Sequence, residues 1–393
     1  MNRKHYMEVR FQTTAGKDGN MQYTSPENRN IPQERYRKFL KGFLVQGILL
    51  LLVLAAAVIL IDPFFHYHKP WFGLKAVLTD KEYQCIGSLR TFDYDSLIVG
   101  SSVAENYYNG WFNEGFQCKT VKAIRSYGAT ADLCYLLDAA YEEHDLKYVF
   151  YSMDTSSLAA DATPTYELTG CPMYLYDKNY FNDVEYLFNK GVLFEKIPYM
   201  IANSLIGDYD ENDSYNWAQW KEFNQDMALG LYLRKAEIAP MKEADFYRDT
   251  LDANLKLICA QVENHPETRF KIFFPAYSML FWDNLYRTGD LEAYLYNMEQ
   301  AIGTLVAYEN VDMYYFQDET DIITNLENYM DTLHFSPEIN RFMAEQIIAG
   351  NTAYRLTEEN YMERLSGMRG LSYRIVEEYM EPYVDLIKVD YGQ

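Results

Sequence analysis

Hydrophobic and polar positions follow two different rhythms along this chain. From residue 43 to residue 61 there is a single apolar run, nineteen residues in which only Gln46 is strongly polar. A run of that length crosses the hydrocarbon core of a bilayer as a helix. Beyond a short neck at 62–70, brief apolar runs alternate with longer stretches of helical period. Residues 96–99, 120–123, 147–152, 269–274 and 311–316 read as strands, and 103–112, 130–144, 244–263, 291–308 and 337–349 as helices. Strands alternating with helices form βαβ units, so the pattern predicts an α/β fold with a parallel sheet of about five strands between helical layers.

Two stretches depart from that rhythm. Residues 155–243 are rich in Tyr, Asn and Asp and read as a helical insertion at the strand ends. Residues after 357 read as two further helices packed on the outside, a helical extension over 351–393. Residues 1–41 form a tail whose first thirty positions are polar and without sustained period, the signature of disorder. The organisation expected is therefore tail 1–41, membrane helix 42–62, main domain 63–350 and extension 351–393.

Charge adds an orientation. The chain carries −22 overall, yet residues 1–41 hold nine Lys and Arg against four Asp and Glu. Arg35, Arg37, Lys38 and Lys41 stand directly before the apolar run and Asp62 follows it. The positive-inside rule places the tail in the cytoplasm and the acidic domain outside. A cleaved leader has a shorter apolar core followed by small residues, so an anchor in the cell membrane is expected. Phe64, Phe65, Tyr67 and Trp71 then suit an aromatic belt at the interface. The acidity argues against nucleic acid as a partner, because phosphates need a concentrated basic surface. The five cysteines have no C-x-x-C spacing, so no zinc site is expected.

The chemistry lies at two ends of the main domain. Val99-Gly100-Ser101-Ser102 follows the first strand, and ligands of open α/β sheets bind at strand carboxyl ends. Asp331-Thr332-Leu333-His334 follows the last strand, and an aspartate three residues before a histidine can orient the imidazole. A serine hydroxyl needs such a base to become a nucleophile. Of the six histidines, only His334 has an aspartate at this spacing after a strand. Read singly, Gly-Ser-Ser is equally a helix cap and Asp-x-x-His equally a capped turn.

Taken together, the order Ser…Asp-x-x-His resembles the SGNH (GDSL-like) hydrolase superfamily, with Gly-x-Ser after the first strand and Asp-x-x-His before a final helix. Segments 62–70, 94–106 and 273–278 look like those of single-pass SGNH-like proteins of Gram-positive bacteria. These are distantly similar to the teichoic-acid D-alanylation protein and to alginate O-acetylation proteins. The resemblance covers about residues 40–350 and implies a three-layer α/β/α domain. It also implies Ser102 as nucleophile, His334 as general base and Asp331 as its orienter, with the N–H groups of Ser102 and Gly128 as oxyanion donors. The superfamily's Gly-x-Asn-Asp block is missing. Ser152-Met153-Asp154 stands in its place, with Asp154 at the corresponding edge.

Other residues have two readings each. Asn106 and Ser278 line the pocket or serve as cap and turn residues. Trp217 and Trp220 stack on sugar rings or form the insertion's own core. His66 and His68 are two ligands only, too few for a metal site, and no cofactor is called for. The reading is an anchored serine acyl-esterase or O-acyltransferase acting on envelope polysaccharide, wall polymer or glycolipid. A membrane-bound O-acyltransferase that supplies the acyl group is the protein partner this scheme would take. The alternative is a non-catalytic binding or scaffold protein of the same fold.

Overall fold

The computed structural model describes residues 33–391. The expected disordered tail falls outside these residues except for its last nine positions, and those are helical. One helix runs from Gln33–Ile61, longer at its start than the apolar run alone predicts. It is long and apolar enough to cross a membrane. The chain divides into two compact units after Val53. The first, as described, is helix throughout. The second opens with the last turns of the same helix and holds all the strands.

Those strands are β1 (Ser96–Gly100), β2 (Thr120–Ile124), β3 (Tyr148–Ser152), β4 (Leu233–Lys235), β5 (Arg269–Phe274), β6 (Val311–Tyr315), β7 (Arg355–Leu356) and β8 (Lys388–Asp390). Six of them form the central sheet in the order β2-β1-β3-β5-β6-β7. All its pairings are parallel except β6 with β7. Runs such as Ser-Leu-Ile-Val-Gly and Arg-Phe-Lys-Ile-Phe-Phe are buried almost end to end, as strands covered on both faces must be. Helices Thr130–Tyr141, Arg248–Asn264 and Leu291–Leu305 pack in sequence along one face. The step from β1 to β2 runs against the later steps. Right-handed crossovers therefore put helix Asn109–Phe116 on the other face, where Pro337–Ile348 packs beside it. The protein is mixed α/β with a mostly parallel central sheet.

This order reverses between β1 and β3. There the loops leave in opposite directions and a crevice opens at the strand carboxyl ends. Ser101 and Ser102 lie at that point. Gly100 is required there by close approach: an added Cβ would come within 2.7 Å of the Ala104 Cβ and 3.1 Å of Ser152.

Several expectations need correction. The helix expected over 103–112 is a 3-10 turn, Ser102–Ala104, followed by a separate helix, Asn109–Phe116. The Lys122 ammonium donates to the Glu105 carbonyl at 2.6 Å, so this carbonyl does not propagate the helix. The insertion expected to be helical at 155–243 consists of short helical pieces together with the strand β4. The extension 351–393 is not wholly helical: β7 closes the sheet edge against β6, and β8 pairs with β4 in a second, two-stranded sheet. Phe64 and Phe65 form no interfacial belt, being 2% and 0% exposed. The Asp62 carboxylate accepts hydrogen bonds from the N–H groups of His66, Tyr67 and His68 and from the Tyr186 hydroxyl, turning the neck back onto the domain.

Candidate active site

The loop after β6 and the turn after β1 meet at the crevice. Ser102 Oγ lies 2.8 Å from His334 Nε2, and His334 Nδ1 lies 2.7 Å from Asp331 Oδ2. A carboxylate can only accept, so Nδ1 carries the proton and Nε2 is left to accept from the hydroxyl. The other Asp331 oxygen accepts from the Leu333 and His334 N–H groups, each at 2.8 Å. Burial opposes ionisation of Asp331, but the His334 ring and these N–H groups outweigh it and hold the carboxyl below its usual range. It therefore stays charged and fixes both tautomer and ring orientation. His334 and Asp331 keep 21% and 24% of their side-chain surface exposed, enough for a substrate to reach the pair.

The frame around these three residues is buried and specific. Ser278 Oγ donates to the Thr332 carbonyl at 2.9 Å, and Tyr329 Oη donates to the Ala276 carbonyl at 2.8 Å. Together they pin the histidine loop to the chain leaving β5. Ser278 is thus a brace under the loop and not a pocket-lining residue. Asn106 is also a brace. Its buried Oδ1 accepts from the N–H groups of Trp217 and Ala218, both at 3.2 Å. That bond carries the Trp217 ring to His334, edge to face with centroids 5.0 Å apart. Trp220 has no ring contact with this group and is 79% exposed.

No protein-family model and no curated protein matches this chain.

Oxyanion stabilisation is where the geometry departs from expectation. The Gly128 N–H donates to the Arg125 carbonyl at 3.2 Å, closing its own turn. In that turn Tyr127 takes the left-handed conformation, φ +50°, rather than the glycine. Gly128 is therefore occupied as a turn donor. The Ser102 N–H donates to no acceptor among the described residues. It opens a single 3-10 turn, so it brings a local donor without the dipole of a long helix. Asp154 caps helix Thr155–Leu158 by accepting from the Ser156 N–H. Burial raises its carboxyl above the usual range, partly offset by that N–H and by the Tyr277 hydroxyl.

Two buried charges beneath the site escaped the sequence reading. Glu105 pairs with Lys81 at 2.6 Å, and burial lifts its carboxyl. Lys122, on β2, donates to the carbonyls of Glu105 and Ser214, tying the Ser102 turn to the insertion that carries Trp217. Burial brings its ammonium down to about 7. A lone lysine in the apolar strand Thr-Val-Lys-Ala-Ile was the available signal. Among the described residues no cluster of His, Cys, Asp and Glu is arranged to hold a metal. His66 meets Asp183 at 3.1 Å, and His68 meets the carbonyls of Ile59 and Lys69. The five cysteines are free thiols.

Proposed function

We propose that this protein is a membrane-anchored serine acyl-esterase or O-acyltransferase of the SGNH type, working outside the cytoplasm on O-acyl groups of envelope glycans, wall polymers or glycolipids. The observation that carries the reading is the continuous hydrogen-bonded line Ser102–His334–Asp331 at the carboxyl ends of a parallel sheet, at the point where its strand order reverses. That line suits acyl transfer. Ser102 Oγ attacks the acyl carbonyl as its proton passes to His334 Nε2, and the imidazolium is held by Asp331. The C–O bond to the carrier then breaks, the leaving alcohol takes the proton from His334, and an acyl-Ser102 ester remains. Water or an acceptor hydroxyl, deprotonated by the same His334, releases the acyl group as acid or as a new ester. The apolar helix and its basic amino-terminal flank support an anchor with the acidic domain outside.

The scaffold reading draws on one specific observation, the commitment of the Gly128 N–H to its own turn together with the missing asparagine donor. Each oxyanion donor lost lowers turnover by roughly two to three powers of ten, and the Ser102 N–H remains as the local donor. A scaffold has no need of the paired bonds at His334, so we favour the enzyme.

The test is to incubate the full-length protein in detergent with O-acetylated wall polymer and an unacetylated acceptor glycan. Free acetate identifies an esterase, and acetylated acceptor a transferase. No acyl release beyond that of Ser102→Ala protein would favour the scaffold.

A further inference from the structure

The helical pieces between residues 180 and 206 are apolar on two opposite sides. In the π-turn Val192–Lys196 and helix Ile197–Leu205, the inward side is Val192, Ile197 and Met200, each at most 9% exposed. The outward side presents Phe194 at 75%, Leu205 at 69% and Ile206 at 88% exposure, and Phe181, two residues before Asp183, is 98% exposed. Residues 197–206 contain no charged side chain, in a chain with 57 Asp and Glu. Large apolar side chains exposed along an uncharged helix mark a binding surface.

Its position says what covers it. The segment is fastened to residues that directly follow the apolar helix Gln33–Ile61. Asp183 accepts from Tyr67 Oη at 2.8 Å and meets His66 Nε2 at 3.1 Å, while Tyr186 Oη donates to Asp62 at 2.7 Å. Farther along, the Lys75 N–H donates to Ser204 Oγ at 2.9 Å. The segment that carries the exposed side chains is therefore tied at both ends to the neck that follows the helix. On the neck itself, Trp71 and Phe72 are also exposed, at 43% and 74%.

We propose that this face, centred on Phe194, Leu205 and Ile206, lies in the interfacial layer of the bilayer leaflet from which the chain emerges. It would be a second lipid contact besides the apolar helix. The occupant is lipid, seated as the apolar face of an interfacial helix sits at the headgroup–acyl boundary. This inference rests on reading Gln33–Ile61 as the anchor.

The experiment uses the full-length protein in phosphatidylcholine–phosphatidylglycerol vesicles containing a phospholipid with a diazirine near its acyl carbonyl. After illumination, lipid adducts are mapped by peptide mass spectrometry. Adducts are expected on peptides from the apolar helix and from residues 188–207, and not on the exposed helix face around Thr304. In Phe194→Glu/Ile206→Glu protein, labelling of 188–207 should fall about tenfold while that of the apolar helix persists. Phe194→Leu/Ile206→Leu protein should keep both, which separates loss of the face from loss of folding. Labelling of the apolar helix without 188–207 would overturn the proposal and leave the anchor standing. Crosslinks from 188–207 to a second protein copy in place of lipid would overturn it as well. Absence of adducts on both would show that the anchor reading had failed, and the proposal with it.

Discussion

Asp331 does two jobs with its two oxygens: one holds the His334 ring, the other holds the loop backbone at Leu333 and His334. Asp331→Asn should keep the loop but allow the wrong histidine tautomer. Acyl release is expected to drop by roughly four powers of ten with little change in melting temperature; a large loss of stability with activity per folded molecule intact would contradict this role. Asn106 acts at one remove. Asn106→Ala leaves the Trp217 N–H without its acceptor, while the Ala218 N–H keeps the Asn216 side-chain oxygen at 2.9 Å, and frees Trp217 from its place beside His334. The expected cost is about 1–3 kcal/mol of stability, read by chemical unfolding, together with a changed KM for a bulky acyl carrier but not for a small acyl ester. Equal effects on both substrates would place Asn106 in general folding alone.

At the scale of elements, the sheet edge is held by charge as well as by backbone pairing. Asp312 on β6 is gripped by Arg269 and Lys271 from β5 and by Arg355 from β7. Burial opposes the charge, but these cations prevail and bring its carboxyl down to about 2. A carboxyl held lower in the folded than in the unfolded chain stabilises the fold above the unfolded value of 3.8, and the benefit disappears as pH falls toward about 2. It amounts to roughly 2 kcal/mol. Unfolding free energies measured between these limits should fall more steeply for the native protein than for Asp312→Asn; parallel acid profiles would refute the clamp. The long strands here were legible in the sequence because runs such as Leu97-Ile98-Val99 are apolar and end at turn residues, here Gly100 and Ser101. β7 and β8 were not, since two or three residues carry no period and their pairing is decided by distant partners. The break after Ala104 was hidden for the same reason: it depends on a lysine seventeen positions from Glu105.

The whole molecule combines an acidic domain with one apolar helix flanked by basic residues. Alkaline carbonate should leave the protein in the membrane fraction and detergent should release it. Protease added outside intact right-side-out vesicles should digest the domain while sparing Gln33–Ile61. Digestion of the domain only after the vesicles are opened would reverse the proposed orientation. The helix and the Ser…Asp-x-x-His order were visible from residue types and spacing. The use of Asn106 and Ser278 as braces was not, because an amide or hydroxyl reveals its partner only once the fold brings carbonyls and N–H groups to it. The burial of Phe64 and Phe65 likewise follows from Asp62 folding the neck inward, a tertiary effect that apolar composition near a membrane conceals.

The nucleophilic character of Ser102 is the claim on which the rest depends. A fluorophosphonate probe reacts with a serine only when a base activates it. The most direct measurement is to treat the folded full-length protein with such a probe and map the adduct by peptide mass spectrometry. A single phosphonyl group on Ser102, absent from Ser102→Ala and strongly slowed in His334→Ala, is the result expected. Folded, monodisperse protein that takes up no probe, or takes it up equally well without Ser102, would contradict the account.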